Sequence, residues 1–125
     1  MATVEMTADN FESLAIRDGI TLVDFWAAWC GPCRMFAPVF EQASETHSDV
    51  VFGKVDTEEQ QELAGAFGIQ SIPATVFYRD GIPLHMQPGL LPQEALEDLL
   101  GQVRNIDMAQ VRAEVERRKS GAPQA

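Results

Sequence analysis

The sequence predicts an α/β domain, and three observations carry that prediction. Two apolar runs of strand length, Leu22 to Trp26 and Val50 to Val55, are separated by a stretch whose apolar residues recur at helical spacing. Both runs are nearly continuous rather than alternating, the pattern of strands covered on both faces of a parallel sheet. Further on, Asp80-Gly81 follows another strand-like run and signals a hairpin, so the sheet should be mixed. At 125 residues the chain is close to the commonest single-domain size and long enough to bury a core without metals or cross-links.

Taken in order, Thr3 to Met6 reads as a short first strand. Thr7 follows as a candidate N-cap, and Phe11, Leu14 and Ala15 form the stripe of a helix that Gly19 would end. Leu22 to Trp26 is the strongest strand, broken only by Asp24. A carboxylate inside a buried strand is costly unless it is paired or protonated, so Asp24 is either functional or reaches solvent from a strand edge. From Cys33 to about His47, Phe36, Val39, Phe40 and Ala43 have helical spacing, and Pro38 inside the stripe predicts a kinked helix. The strand from Val50 to Val55 also carries one charge, Lys54, a candidate neighbour for Asp24.

Thr57 and Gln60 have the spacing of a capping box for a short helix closing at Gly68. Gln70 to Pro73 is loop, and Thr75 to Tyr78 is strand. The strand around Leu84 to Met86 should return antiparallel to it, held at the sheet edge by Pro83 and Pro88. Pro92 opens a helix with Leu96, Leu99, Leu100 and Val103 on one face. Asp107 then caps a last helix whose narrow stripe, Met108, Val111 and Val115, predicts weak docking or an extension of the preceding helix. Ser120 to Ala125 reads as a disordered tail.

The chemistry is concentrated in Trp29-Cys30-Gly31-Pro32-Cys33, which holds both cysteines of the chain. A strand that delivers Cys30 to the first turn of a helix places its sulfur beside unpaired N–H groups and the positive end of the helix dipole, which favour thiolate. Cys30 is therefore the candidate nucleophile, and Cys33, one turn deeper on the same side, the candidate resolving thiol. Gly31 permits close approach, and Pro32 suits the first helical turn, where its missing N–H has no intrahelical partner. A zinc site completed by His47 and His85 is disfavoured because these histidines are far apart and fall in different elements. A purely structural disulfide across so short a loop would remove little unfolded-state entropy. Trp29, directly before the nucleophile, is expected at the surface rather than in the core.

The formal charge of −10 makes nucleic acid and acidic membranes poor partners, and no apolar run is long enough to span a bilayer. The one basic cluster, Arg117-Arg118-Lys119, reads as a solvated helix end. The N-terminal stretch lacks the basic and apolar regions of a secretory signal, which predicts a cytoplasmic protein, where a C-x-x-C pair is more often catalytic than structural.

From about Thr3 to Asn105 the chain resembles the thioredoxin family. Phe25 to Cys33 is similar to that family's active-site run nearly letter for letter, Ala37-Pro38 to its kinked helix, and Asp24 and Lys54 to its buried acid and the lysine beside it. Ile72-Pro73 resembles its cis-proline loop facing the disulfide, and Gly89 the glycine beside its substrate groove. The resemblance implies a central mixed five-stranded sheet flanked by helices, a thioredoxin domain over residues 1–105, and a helical extension with a disordered tail over 106–125. It also implies a protein-disulfide reductase cycling between dithiol and disulfide, with Asp24 accepting the Cys33 proton and Lys54 tuning Asp24. Trp29, Gly31, Pro32, Ile72, Pro73 and Gly89 would form a flat apolar platform for an extended substrate segment. No bound cofactor is implied; electrons would come from NADPH through a flavoprotein thioredoxin reductase, to be passed by a monomer to diverse disulfide-containing client proteins. A disulfide oxidase or isomerase, and a non-catalytic adaptor using the same platform, are the alternatives. Three departures stand out: Ala74 where the family usually has Thr, Pro88 before Gly89, and the extension from Ile106.

Overall fold

The computed structural model describes residues 2–121. Its elements run β1 (Thr3–Glu5), α1 (Phe11–Ala15), β2 (Ile20–Trp26), α2 (Gly31–Thr46), β3 (Val51–Asp56), α3 (Gln61–Ala66), β4 (Ala74–Arg79), β5 (Ile82–Pro88), α4 (Gln93–Arg104) and α5 (Met108–Lys119). The five strands form one mixed sheet in the order β1-β3-β2-β4-β5. β1 and β2 both run parallel to β3, whereas β4 is antiparallel to β2 and to β5.

Strand β2 lies at the centre, and the alternation of its side chains divides the core. Leu22 packs on one face with Phe36 and Phe40 of α2 and Leu96 and Leu100 of α4. Val23 and Phe25 pack on the other with Ala15 of α1 and Ala64 of α3. Burial on both faces is the physical reason the β2 sequence is apolar without alternation. The β4–β5 turn holds Asp80 at φ 53° and Gly81 at φ 80°, the left-handed pair of a tight hairpin. Pro83 and Pro88 do lie on the edge strand. Pro38 is accommodated inside a single continuous α2.

Several predicted helix starts are displaced. α1 begins at Phe11 with Asn10, not Thr7, at its N-cap; the Asn10 side chain instead accepts from the Thr7 N–H at 2.7 Å. Gly19 does not end this helix, which closes at Ala15 with Ile16 as its C-cap; it stands directly before β2, and its N–H donates to Asp80. The Thr57–Gln60 capping box does not form. The Thr57 hydroxyl donates to the Trp26 carbonyl at 3.0 Å, and the Gln60 side chain is taken by the Ala8 N–H, so α3 starts only at Gln61. Pro92 sits at the N-cap of α4 rather than inside its first turn.

α5 is a separate helix, capped as predicted by Asp107, whose carboxylate accepts from the Ala109 and Gln110 N–H groups. It docks through buried Met108, half-buried Val111 and Val115, and an Arg112 to Asp80 ion pair at 3.4 Å. Arg79 Nη1 donates to the carbonyls of Val103, Arg104 and Ile106, which fixes the turn between α4 and α5. Ser120 forms the C-cap of α5, and the Gly121 N–H donates to the Arg118 carbonyl; the rest of the expected disordered tail, 122–125, lies outside the described residues.

Candidate active site

β2 runs out at Trp26, and after three intervening residues the chain enters α2 with Cys30 as its N-cap. Cys30 has extended backbone angles, as an N-cap should, and its Sγ accepts the Cys33 N–H at 3.2 Å. This is one of the orphan N–H groups of the helix start, so the same local geometry that caps α2 would favour a thiolate on Cys30 once the disulfide is reduced. Cys30 and Cys33 are joined in a disulfide with Cα atoms 5.2 Å apart. Both are nearly buried, at 4% and 3% exposure, against Ala27, Trp26 and Ile72. Pro32 stands in the first turn of α2, as its missing N–H allows.

The loop before β4 faces this pair. The Ile72–Pro73 bond is cis, and the Ile72 carbonyl oxygen lies 3.6 Å from Cys30 Sγ. The Pro73 carbonyl accepts from the Gly89 N–H at 2.7 Å, which ties the end of β5 to the same loop; Gly89 adopts φ 90°. Trp29 is 67% exposed beside the disulfide. Of the residues expected to form the platform, Ile72 lies against Cys30 and Gly89 is tied to Pro73, which is itself buried, while Trp29 is exposed.

Asp24 is fully buried, and neither of its oxygens has a hydrogen-bond partner. Burial pushes its carboxyl up to about 7, with the positive charge of Lys54 partly opposing the shift. Lys54 is its register neighbour on β3. The lysine ammonium lies over the Trp26 ring, 5.1 Å from its centroid, and acts on Asp24 through the field rather than by hydrogen bonding. His47 pairs with Glu97 at 2.7 Å and His85 with Gln87 at 2.8 Å, and among the described residues no cluster of His, Cys, Asp or Glu is placed to hold a metal ion.

Arg34 is a site residue the motif does not announce. Its guanidinium donates to the Ala28 carbonyl at 2.8 Å and so braces the loop that carries Trp29 and Cys30. Its position directly after Cys33 is the only sequence signal available. Trp26 Nε1 and Thr75 Oγ1 are likewise buried without a partner, a fact that depends on strand register and is invisible in the sequence.

The thioredoxin family model matches residues 2–102 of this chain. The chain belongs to the thioredoxin family. A Streptomyces coelicolor protein named putative thioredoxin 2 is 50% identical over 121 residues, covering 97% of this chain and 90% of the relative. An Alicyclobacillus acidocaldarius thioredoxin is 45% identical over 103 residues, 82% of this chain and 98% of its own length. The solved structure of Malassezia sympodialis thioredoxin (Mala s 13) superposes with a TM-score of 0.73 at 34% identity, covering 80% of this chain and 89% of that one. Family membership and the paired cysteines make this chain a thiol-disulfide oxidoreductase of the thioredoxin fold. No described helix is long and apolar enough to cross a membrane.

Proposed function

We propose that this thioredoxin-family chain reduces protein disulfides with Cys30 as nucleophile and Cys33 as resolving thiol. The observation that carries the reading is the position of Cys30 Sγ, capping α2, accepting the Cys33 N–H and abutting the Ile72 carbonyl. The Cys30 thiolate attacks one sulfur of a client disulfide; a Cys30–client bond forms, the client S–S bond breaks, and one client thiolate leaves. Asp24 then takes the proton of the Cys33 thiol. The resulting thiolate attacks Cys30 Sγ, closes the Cys30–Cys33 disulfide and expels the second client thiolate. Two electrons pass from the dithiol to the client, and the expelled thiolates are protonated from solvent.

A carboxyl held near neutrality suits this task, because it is ionised often enough to accept a proton and basic enough to hold it. Lys54 keeps Asp24 from rising further. Trp29, Gly31, Pro32, Ile72, Pro73 and Gly89 form the docking platform, and the backbone around Ile72 can pair with an extended segment without reading its side chains. That mode of recognition fits many disulfide-containing clients. The reading includes re-reduction by a flavoprotein thioredoxin reductase using NADPH, a cytoplasmic setting, a monomer, a thioredoxin domain over residues 1–105 and an accessory extension over 106–125.

An NADPH-coupled assay with thioredoxin reductase and a disulfide-bonded protein substrate tests the whole reading. NADPH consumption should depend on both the chain and the substrate, and should disappear with Cys30→Ser. Client binding without NADPH turnover would instead assign the platform to an adaptor.

A further inference from the structure

Strand register places a polar residue from every strand in one row across the sheet. Glu5, Lys54, Asp24, Thr75 and Gln87 are successive cross-strand partners from β1 to β5. The row two residues toward the N-terminus of β2 is Phe52, Leu22 and Phe77, which are core residues under α2 and α4. Directly opposed residues share a face, so the polar row lies on the face that α2 covers. At its centre, Asp24 and Thr75 are both 0% exposed, and all three of their side-chain oxygens lack partners. Thr75 is thus a buried hydroxyl with its donor and acceptor capacity unspent, beside a carboxyl in the same condition.

We propose that Thr75 is a positioning residue for the resolving step, its hydroxyl donating to the Asp24 carboxylate while that group is ionised and accepting from it once it is protonated. Side chains on directly opposed antiparallel residues have Cβ atoms about 4.5–5.5 Å apart, so rotation about χ1 is enough to bring hydroxyl and carboxylate together. A hydroxyl suits both charge states, since it can donate and accept, whereas Val at this position could do neither. The hydrogen bond to the charged form is the stronger of the two, so Thr75 favours ionised Asp24. The other charged or titratable groups at hand are Lys54 on β3 and Cys33 at the head of α2, which packs with Trp26 two residues along from Asp24. Gln87 and Glu5 lie farther out in the same row. Trp26 Nε1 is a donor only and cannot serve protonated Asp24 as an acceptor.

The inference rests on Asp24 as the proton acceptor for Cys33, and two measurements separate it from that reading. In the disulfide form, where neither cysteine titrates, the Asp24 carboxyl carbon is followed by NMR against pH in the native chain, Thr75→Val and Thr75→Ser. Thr75→Val should raise the midpoint by about 0.5–1 pH unit, as loss of one charge-assisted hydrogen bond requires, and Thr75→Ser should restore it. Resolution of a Cys30 mixed disulfide should then slow about twofold to fivefold at pH 7 in Thr75→Val, recover above pH 9, and show no added effect in an Asp24→Asn background. The initial attack by Cys30, measured in a Cys33→Ser background, should be unchanged. An unshifted midpoint in Thr75→Val, or failure of Ser to restore it, would overturn the role of Thr75 alone. Resolution unaffected by Asp24→Asn would overturn the Asp24 reading and this inference with it. Should Thr75→Val not fold, Thr75→Ala carries the same comparison.

Discussion

Replacing Asp24 with Asn should stabilise the fold, and by an amount that depends on pH in a defined way. The carboxyl titrates near 7 in the folded chain against an ordinary value of 3.8, because burial disfavours its charged form more than Lys54 restores it. Between these values the folded state binds more protons than the unfolded state, so stability falls as pH rises through the window. Below about pH 4 both states are protonated and no penalty exists. Above about pH 7 the penalty is complete. A shift of about three pH units at roughly 1.36 kcal/mol each corresponds to about 4 kcal/mol, with no allowance for screening because the side chain is fully buried. Asn keeps the shape and removes the titration, so the variant escapes this penalty while still burying an unpartnered amide. Urea unfolding of the disulfide forms, compared at pH 4 and pH 8, reads the difference directly. The gain should be small at pH 4 and several kcal/mol at pH 8. A gain equal at both pH values, or none at pH 8, would refute the burial argument.

Other substitutions probe the platform and the core. Trp29→Ala should change stability by no more than about 0.5 kcal/mol, since the side chain is exposed, yet raise the KM for protein disulfides; thermal denaturation together with steady-state kinetics checks both halves. Gly53→Ala should destabilise by about 1–3 kcal/mol, because a Cβ there would run into the fully buried side chain of Met6, and urea unfolding measures it. Slowed resolution in Asp24→Asn should be visible by stopped-flow near neutral pH, with the first attack by Cys30 left intact.

What could be read from the sequence was what depends on local pattern. The continuous apolar run of β2, the Asp80-Gly81 turn, the Asp107 cap and the Cys30–Cys33 spacing each express a short-range rule, and the structure bears each of them out. Asp24 was legible for the opposite reason, as a charge where the pattern demands an apolar residue. The start of α3 departs from the expected capping box because its capping groups are committed elsewhere: Gln60 reaches back 52 residues to Ala8, and Thr57 donates to the end of β2. At α1 the N-cap falls on Asn10, whose side chain accepts from the Thr7 N–H. Thr75 lay beyond reach because its importance comes from register, which sets it opposite Asp24 across two strands far apart in sequence. Arg34 looks like an ordinary helix residue until its bond to Ala28 is seen.

The central claim is the division of labour between the two cysteines, and a trapping experiment tests it most directly. Reduced Cys33→Ser and reduced Cys30→Ser chains are mixed with a disulfide-bonded protein substrate, quenched by acid and alkylation, and resolved on non-reducing gels with mapping of the linked peptide. Cys33→Ser should accumulate a mixed disulfide through Cys30, because the first attack survives while the resolving attack is lost, and Cys30→Ser should accumulate none. Adducts carried on Cys33 in the Cys30→Ser chain, or an absence of adducts in Cys33→Ser, would contradict the assignment of nucleophile and resolving thiol.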